Sequence, residues 1–199
     1  MPPYLNFHTH HPTPEGEATI LSFGLHPWHL TEDWLTQLKA LTSHLSPSPP
    51  NNSQIPPFIG ECGLDRLCPT PYPLQLAAFE AQIHLSERLC RPLVLHCVRA
   101  VDDVLRLHRG ITQPWIWHGF RGKPQQMQQL LTHGFYLSFG FHFNPDSLRT
   151  CPAERLFLET DDDPRPVADL YATAATLRAT TPEALNQQCW DNAQFGNLI

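Results

Sequence analysis

Along most of the chain, short apolar runs alternate with longer stretches whose apolar positions recur every three or four residues. The runs are Tyr4 to Phe7, Ala18 to Phe23, Phe58 to Cys62, Leu93 to Cys97, Trp115 to His118, Phe135 to Phe139 and Leu156 to Thr160. Their length suits strands and the intervening stretches suit helices, so the pattern predicts successive βα units around a parallel sheet. Leu74 to Leu89 is the plainest helix, with Leu76, Phe79, Ile83 and Leu89 at helical spacing and Arg91-Pro92 to end it. Thr31 reads as an N-cap with Glu32 and Asp33 at the positive helix end, followed by the stripe Trp34, Leu35, Leu38, Leu41 and Leu45. Val101 to Leu107, Pro124 to Leu131 and Val167 to Leu177 add further helices. The proline-rich stretch Ser46 to Pro57 reads as a loop within one domain, residues 1–199, rather than a linker between two.

Composition agrees with this picture and sharpens it. A chain of 199 residues that is 41% hydrophobic and 16% charged can build one globular core. No apolar run approaches the ~18–20 residues of a membrane span, and the N-terminus lacks a basic segment followed by an apolar one, so a soluble, cytoplasmic protein is expected. The formal net charge of −6 opposes broad, sequence-independent binding to nucleic acid and leaves room only for a local basic patch. The six cysteines form no C-x-x-C pair and are expected as reduced thiols. Cys62 and Cys97, within apolar runs, read as small buried hydrophobes. The 12 histidines are the excess that points to metal.

Those histidines stand at strand ends. The first run leads into His8-Thr9-His10, the third into Glu61, the fourth into His96, the fifth into His118 and the last into Asp161. In a parallel βα barrel such ends converge on one mouth, where active sites are built from several strands. Residues i and i+2 of a strand share a face, so His8 and His10 can grip one ion. Each histidine alone has an ordinary reading as a satisfied interior side chain. Glu61 is harder to dismiss, because a carboxylate after Phe58-Ile59-Gly60 is costly to bury without a partner. Asp162 and Asp163 read as a solvated turn, whereas Asp161 follows the strand and is the ligand candidate. Four histidines and two carboxylates exceed the needs of one open site and fit two divalent ions. The ligand types suit zinc, manganese or iron.

The same residues resemble the TatD family of metal-dependent deoxyribonucleases within the amidohydrolase-like barrels. The resemblance is carried in order by His8-Thr9-His10, Gly24-Leu25-His26-Pro27, Gly60-Glu61-Cys62-Gly63-Leu64-Asp65, His96, His118-Gly119-Phe120-Arg121-Gly122 and Glu159-Thr160-Asp161. It implies that His8, His10 and Asp161 hold one ion, His96 and His118 the other, and that Glu61 bridges them. It further implies that Asp161 accepts a proton from the attacking water, that His26 stands at the mouth of the site, and that magnesium joins zinc and manganese as a candidate ion. The implied substrate is DNA or another phosphodiester, cut at single-stranded ends, with no membrane and no stable protein partner. An amidohydrolase-type reaction on a small ester, lactone or amide is the alternative, as is a non-catalytic metal-binding remnant.

Departures from the family fall on positions that face substrate. Asn6 stands where an acidic residue is usual, Arg66 where an aromatic is, and Arg121 where a small polar residue is. The arginine expected two positions after His96 is displaced to Arg99, and Asp162-Asp163-Pro164 replaces a Ser-Pro pair. Arg66, Arg99, Arg121 and Lys123 follow strand ends and are candidates for holding phosphates, or else ordinary solvated loop charges. Trp28 and Trp34 read as packing residues, with a stacking face for a base as the alternative.

Length completes the expectation. A (β/α)₈ barrel takes ~250 residues, with ~200 near the floor. His11 to Phe23 is too short to hold a crossover helix and a strand, and Pro12, Pro14 and Gly16 make its first part a loop. The fold class expected is therefore α/β and TIM-barrel-like, an incomplete or distorted barrel of about seven strands with one βα unit missing near the N-terminus.

Overall fold

The structure, a computed structural model, describes residues 2–45 and 55–194. These residues hold strands β1 (Tyr4–Asn6), β2 (Glu17–Thr19), β3 (Ser22–Phe23), β4 (Phe58–Asp65), β5 (Leu93–Val98), β6 (Trp115–Trp117), β7 (Tyr136–Phe139) and β8 (Leu156–Leu158). The α-helices are α1 (Trp34–Leu45), α2 (Tyr72–Leu89), α3 (Val101–Leu107), α4 (Pro124–Thr132), α5 (Pro145–Thr150), α6 (Val167–Leu177) and α7 (Pro182–Asn192). The loop expected over 46–57 lies outside the described residues except for 55–57, which take no regular structure. Two compact units divide the chain, one of Met1–Ile20 with Trp117–Ile199 and one of Leu21–Ile116.

In the Leu21–Ile116 unit, β3, β4 and β5 run parallel, with Ser22 opposite Phe58 and Ile59 opposite Leu93. Every residue of β4 is buried, so the strand has both faces covered and shows no alternation of apolar and polar positions. It runs on past the expected Cys62 to Asp65, which places Glu61 in mid-strand rather than at a strand end. The pairing with β5 slips between Ile59 and Cys62, where β4 holds one extra residue. Glu61 belongs to that bulge, a device that re-aims a side chain out of the regular alternation.

Helix α2 packs on β4. Beside its apolar face it buries two glutamines, Gln75 and Gln82. Gln82 accepts from the Leu25 backbone NH at 2.6 Å and donates to the Leu25 carbonyl at 3.2 Å. Gln75 treats Asp65 likewise, accepting from its NH at 2.8 Å and donating to its carbonyl at 3.0 Å. Two turns of one helix thus pin the backbone at the end of β4 and at Leu25, just after β3. Gly24 lies so close to β4 that an added Cβ would meet the Gly60 Cα at 2.6 Å, which explains a glycine there on steric grounds. Helix α1 starts later than a Thr31 cap implies. The Thr31 carbonyl is taken by a turn to Trp34 NH at 3.1 Å, and the helical ladder starts from the Asp33 carbonyl.

In the other unit, β1 and β2 pair in parallel, Tyr4 opposite Glu17, although residues 7–16 between them form no helix. Gly16, at φ +85°, makes the return, and its carbonyl accepts from Tyr4 NH at 3.0 Å. The missing helix is the shortage expected near the N-terminus. The strand expected over Ala18 to Phe23 is broken into β2 and β3. On its other side β1 meets β8, with Phe7 NH donating to the Leu158 carbonyl at 2.9 Å and Phe7 stacked on Phe157 at 4.5 Å. Next to β8 lies β7, also parallel.

Helices α6 and α7 finish this unit. Tyr171 of α6 donates its hydroxyl to the Leu5 carbonyl at 2.8 Å, and Asn186 of α7 accepts from Leu5 NH at 2.9 Å. The sequence reading missed α5 and α7, though each opens with a cap before proline. Asn144 accepts from Asp146 and Ser147 NH, and Thr181 from Ala184 NH.

All six cysteines are free, and burial pushes Cys97 and Cys189 up to about 12 and Cys62 well above its ordinary value, so these thiols are inert. Among the described residues no helix is long and apolar enough to cross a membrane.

The role of α2 is testable. Gln82→Leu leaves both backbone groups of Leu25 without their side-chain partner, and should lower stability by about 1–3 kcal/mol in urea unfolding.

Candidate metal centre

In the unit built from both ends of the chain, the backbone itself assembles a donor group. Asp161 NH donates to the His8 carbonyl at 3.0 Å and His10 NH to the Asp161 carbonyl at 3.1 Å, a ladder step that sets Thr9 opposite Asp161. Asp161 takes φ 55°, a left-handed conformation that aspartate tolerates better than most residues. The result places Asp161 Oδ1 3.5 Å from His10 Nε2 and the His8 and His10 rings edge to face at 4.9 Å. His8, His10 and Asp161 each offer a donor atom within 4.8 Å of the others. His118, buried just after β6, has its ring 5.1 Å from that of His8.

Asn6 locks this arrangement. Its Oδ1 accepts from Thr160 NH at 3.0 Å and its Nδ2 donates to Thr160 Oγ1 at 2.9 Å, and Nδ2 also faces Glu17 Oε2 at 3.4 Å. An amide supplies a donor where the usual acidic residue would set a second carboxylate against Glu17.

In the Leu21–Ile116 unit, His26, Glu61 and His96 likewise offer donor atoms within 4.8 Å of one another. His26 Nε2 and His96 Nδ1 lie 3.6 and 3.5 Å from Glu61 Oε2. The two imidazoles differ in their other contacts. His26 Nδ1 accepts from Trp28 NH at 3.2 Å, so its proton sits on Nε2, toward Glu61. His96 turns Nε2 to Asp65 Oδ2 at 3.2 Å, so its proton sits there and Nδ1 is the lone-pair atom. His96 Nδ1 and Glu61 Oε2 are then two lone-pair donors side by side, an arrangement that a cation stabilises.

Two buried carboxylates without an assigned role orient these histidines. Asp65 accepts from Trp28 Nε1 at 2.7 Å, Leu67 NH at 2.7 Å and His96. Burial pushes its carboxyl up, but the bonds from Trp28, Leu67 and His96 outweigh that and hold it below the usual aspartate value. Glu159, fully buried, faces His118 Nδ1 at 3.3 Å and accepts from Gly119 NH at 2.6 Å. Burial again acts upward, and His118 and the charge of His8 bring it below the usual range. Such carboxylate–imidazole pairs fix tautomer and ring orientation in metal sites. The signal for Glu159 was available: it directly follows Leu156-Phe157-Leu158, the same argument that singled out Glu61.

The four basic candidates are not alike. Arg66 pairs with Asp103 at 2.7 Å, a carboxylate it shares with Arg106 at 3.3 Å, and lies over the Tyr72 ring at 4.3 Å, so its guanidinium is held in place. Arg99 (φ 54°), Arg121 and Lys123 are exposed. Arg121 also lines a pocket of about 280 Å³ with Gly119, Phe141, Glu159, Asp161 and Asp162. Asp163 is held down to about 2 by the Arg165 guanidinium, which fits a solvated turn rather than a ligand. Trp28 is half exposed.

Nitrogen and carboxylate donors, three in the first group and His96 with Glu61 in the second, suit a divalent transition-metal ion. Parallel βα units with such donors at and near their strand ends define an α/β protein with candidate metal-binding groups. A family model described as TatD related DNase matches residues 13–195, and the chain belongs to that family. It is 31% identical to the 3′-5′ ssDNA/RNA exonuclease TatD of Erwinia billingiae, over 86% of this chain and 74% of that one. It is 30% identical to deoxyribonuclease Tat-D of Schizosaccharomyces pombe over 65% of this chain, but spans only 44% of that protein. Among solved structures, a TatD homologue of Escherichia coli superposes with a TM-score of 0.69 at 22% identity, covering 90% of this chain and 76% of that one. An uncharacterized amidohydrolase of Saccharomyces cerevisiae gives 0.72 at 16% identity, over 90% and 80% of the two chains. These likenesses show the α/β, TIM-barrel-like fold.

The Asp65 carboxylate carries a pH dependence. Its pKa is lowered on folding, so its contribution to stability is full above the unfolded value of about 4 and is lost as pH falls through the lowered folded value. Acid unfolding of chelator-treated Asp65→Asn should therefore show a shallower loss of stability below about pH 4 than the parent.

Proposed function

We propose that the chain is a divalent-metal-dependent nuclease that hydrolyses phosphodiester bonds at single-stranded nucleic-acid ends. The observation that carries this reading is the pair of histidine–carboxylate donor groups, each within 4.8 Å, on a chain of this family. The exonuclease name of the Erwinia relative supports the substrate class. Two ions per chain, zinc, manganese or magnesium, in the ligand assignment that the family resemblance implies for His8, His10, Glu61, His96, His118 and Asp161, are part of the proposal. Bound divalent ions would polarise a phosphodiester oxygen and lower the pKa of a nearby water.

The chain's own groups supply the rest. Asp161 accepts the proton of the attacking water, held in place by its backbone bonds to His8 and His10. Glu61 is set by the β4 bulge to face His96, and His26 presents a proton to it rather than a lone pair. That tautomer suits His26 to holding and passing a proton. Arg99, Arg121 and Lys123 are the cations open to substrate phosphates, with Arg66 contributing its exposed edge.

Metal analysis followed by digestion of a labelled oligonucleotide tests the reading. Activity should vanish with chelator and return with divalent ions, and His96→Ala or Asp161→Asn should each reduce it by at least about 100-fold. Metal-loaded protein that is inert on every nucleic acid overturns it.

A further inference from the structure

Few large apolar side chains of the described residues are exposed: Leu21, Trp28, Leu35 and Leu67. Two of these hang on one buried carboxylate. Asp65 Oδ2 accepts from the Trp28 indole NH at 2.7 Å, and Asp65 Oδ1 accepts from the Leu67 backbone NH at 2.7 Å. An exposed tryptophan normally keeps its rotamer freedom in water and gains nothing from a fixed orientation. Here the freedom is removed at both ends of the residue. The backbone NH is held by His26 Nδ1 and the indole NH by Asp65, the same carboxylate that holds His96 Nε2 at 3.2 Å. The His26 and His96 rings are themselves in edge-to-face contact at 4.4 Å. The indole is therefore indexed to the donor group of Glu61, His26 and His96, with half of its surface open to solvent.

A rigid, amphipathic ring with one polar edge satisfied and its remaining surface wet is suited to stacking. Nucleobases all offer a π face, so such a ring binds them with little sequence preference, and the gain does not require positive charge. This matters for a chain of net charge −6, in which Arg66 is tied to Asp103. We infer that the Trp28 indole is a stacking platform for a base of the single-stranded substrate, held in register with the metal centre through Asp65. The inference rests on the nuclease reading for its substrate class. Asp65 is thereby a positioning residue, acting on substrate through Trp28 and on the centre through His96.

The probe is a pair of single-stranded DNA oligonucleotides of equal length, one with normal bases and one built entirely of abasic deoxyribose phosphates. Binding is read by the change in tryptophan fluorescence and by competition in the presence of chelator. KM and kcat on each strand are read after metal is restored. The parent protein should prefer the base-bearing strand by roughly 5- to 150-fold in binding and KM. Trp28→Ala should collapse that ratio towards one, whereas Trp28→Phe, which keeps a ring but not the bond to Asp65, should keep part of it. Asp65→Asn, in which the amide oxygen still accepts from the indole, should keep more of it than Trp28→Ala. A parent that binds both strands equally, or a Trp28→Ala variant that keeps the parent's ratio, overturns the inference. A parent that binds the base-bearing strand preferentially but cleaves neither strand with manganese or zinc overturns the nuclease reading alone and leaves the platform standing.

Discussion

A carboxylate buried among apolar side chains must be matched by positive charge or by hydrogen-bond donors, because its desolvation would otherwise cost several kcal/mol. Glu61, Asp65 and Glu159 are three such groups, and each is answered by histidine: Glu61 by His26, Asp65 by His96 and Glu159 by His118. The imidazoles are in turn oriented, because a ring with one nitrogen tied to a carboxylate has its tautomer decided. The apolar strands bring these acids inside, the acids select the histidine protons, and the protons decide which nitrogen remains a donor for a cation. Chemistry at the centre thus follows from a packing constraint.

Much of this was legible along the chain. Apolar runs that lead into His8, His118 and Asp161 announce both the strand and a candidate donor, because the residue after the last core position is the one that emerges, whereas His96 lies inside β5. Glu61 was legible as a ligand type but misplaced, since a bulge inside a fully buried strand leaves no mark on an apolar run. Asp65 was read only as part of a motif, because its partner Trp28 is distant in sequence and Arg66 beside it gives the look of a solvated turn. Helix α7 escaped because Asn186 and Asn192 face the interior, where they bind the backbone at Leu5 and Leu156. Buried amides that serve tertiary hydrogen bonds erase the periodicity by which helices are recognised.

The departures from the family pattern also acquire physical content. Asn6 is compatible with Glu17 in a way that a second acid is not, and it still closes both bonds to Thr160. Arg66, where an aromatic is usual, packs on the Tyr72 ring and pairs with Asp103, which also takes Arg106. Both substitutions are paired with a neighbour, so they read as local exchanges within an intact framework rather than as erosion of it.

The ladder that sets Thr9 opposite Asp161 has a consequence for the making of the protein. One donor group draws His8 and His10 together with Asp161, across a ladder step whose two residues, Thr9 and Asp161, are 152 residues apart in sequence. A ribosome-bound chain carries the histidines long before it carries their carboxylate, and closing so long a loop is slow compared with forming local contacts. The three side chains therefore come together only once that long loop has closed, late in folding rather than at its start. A growing chain cannot bring His8, His10 and Asp161 together until Asp161 has left the ribosome.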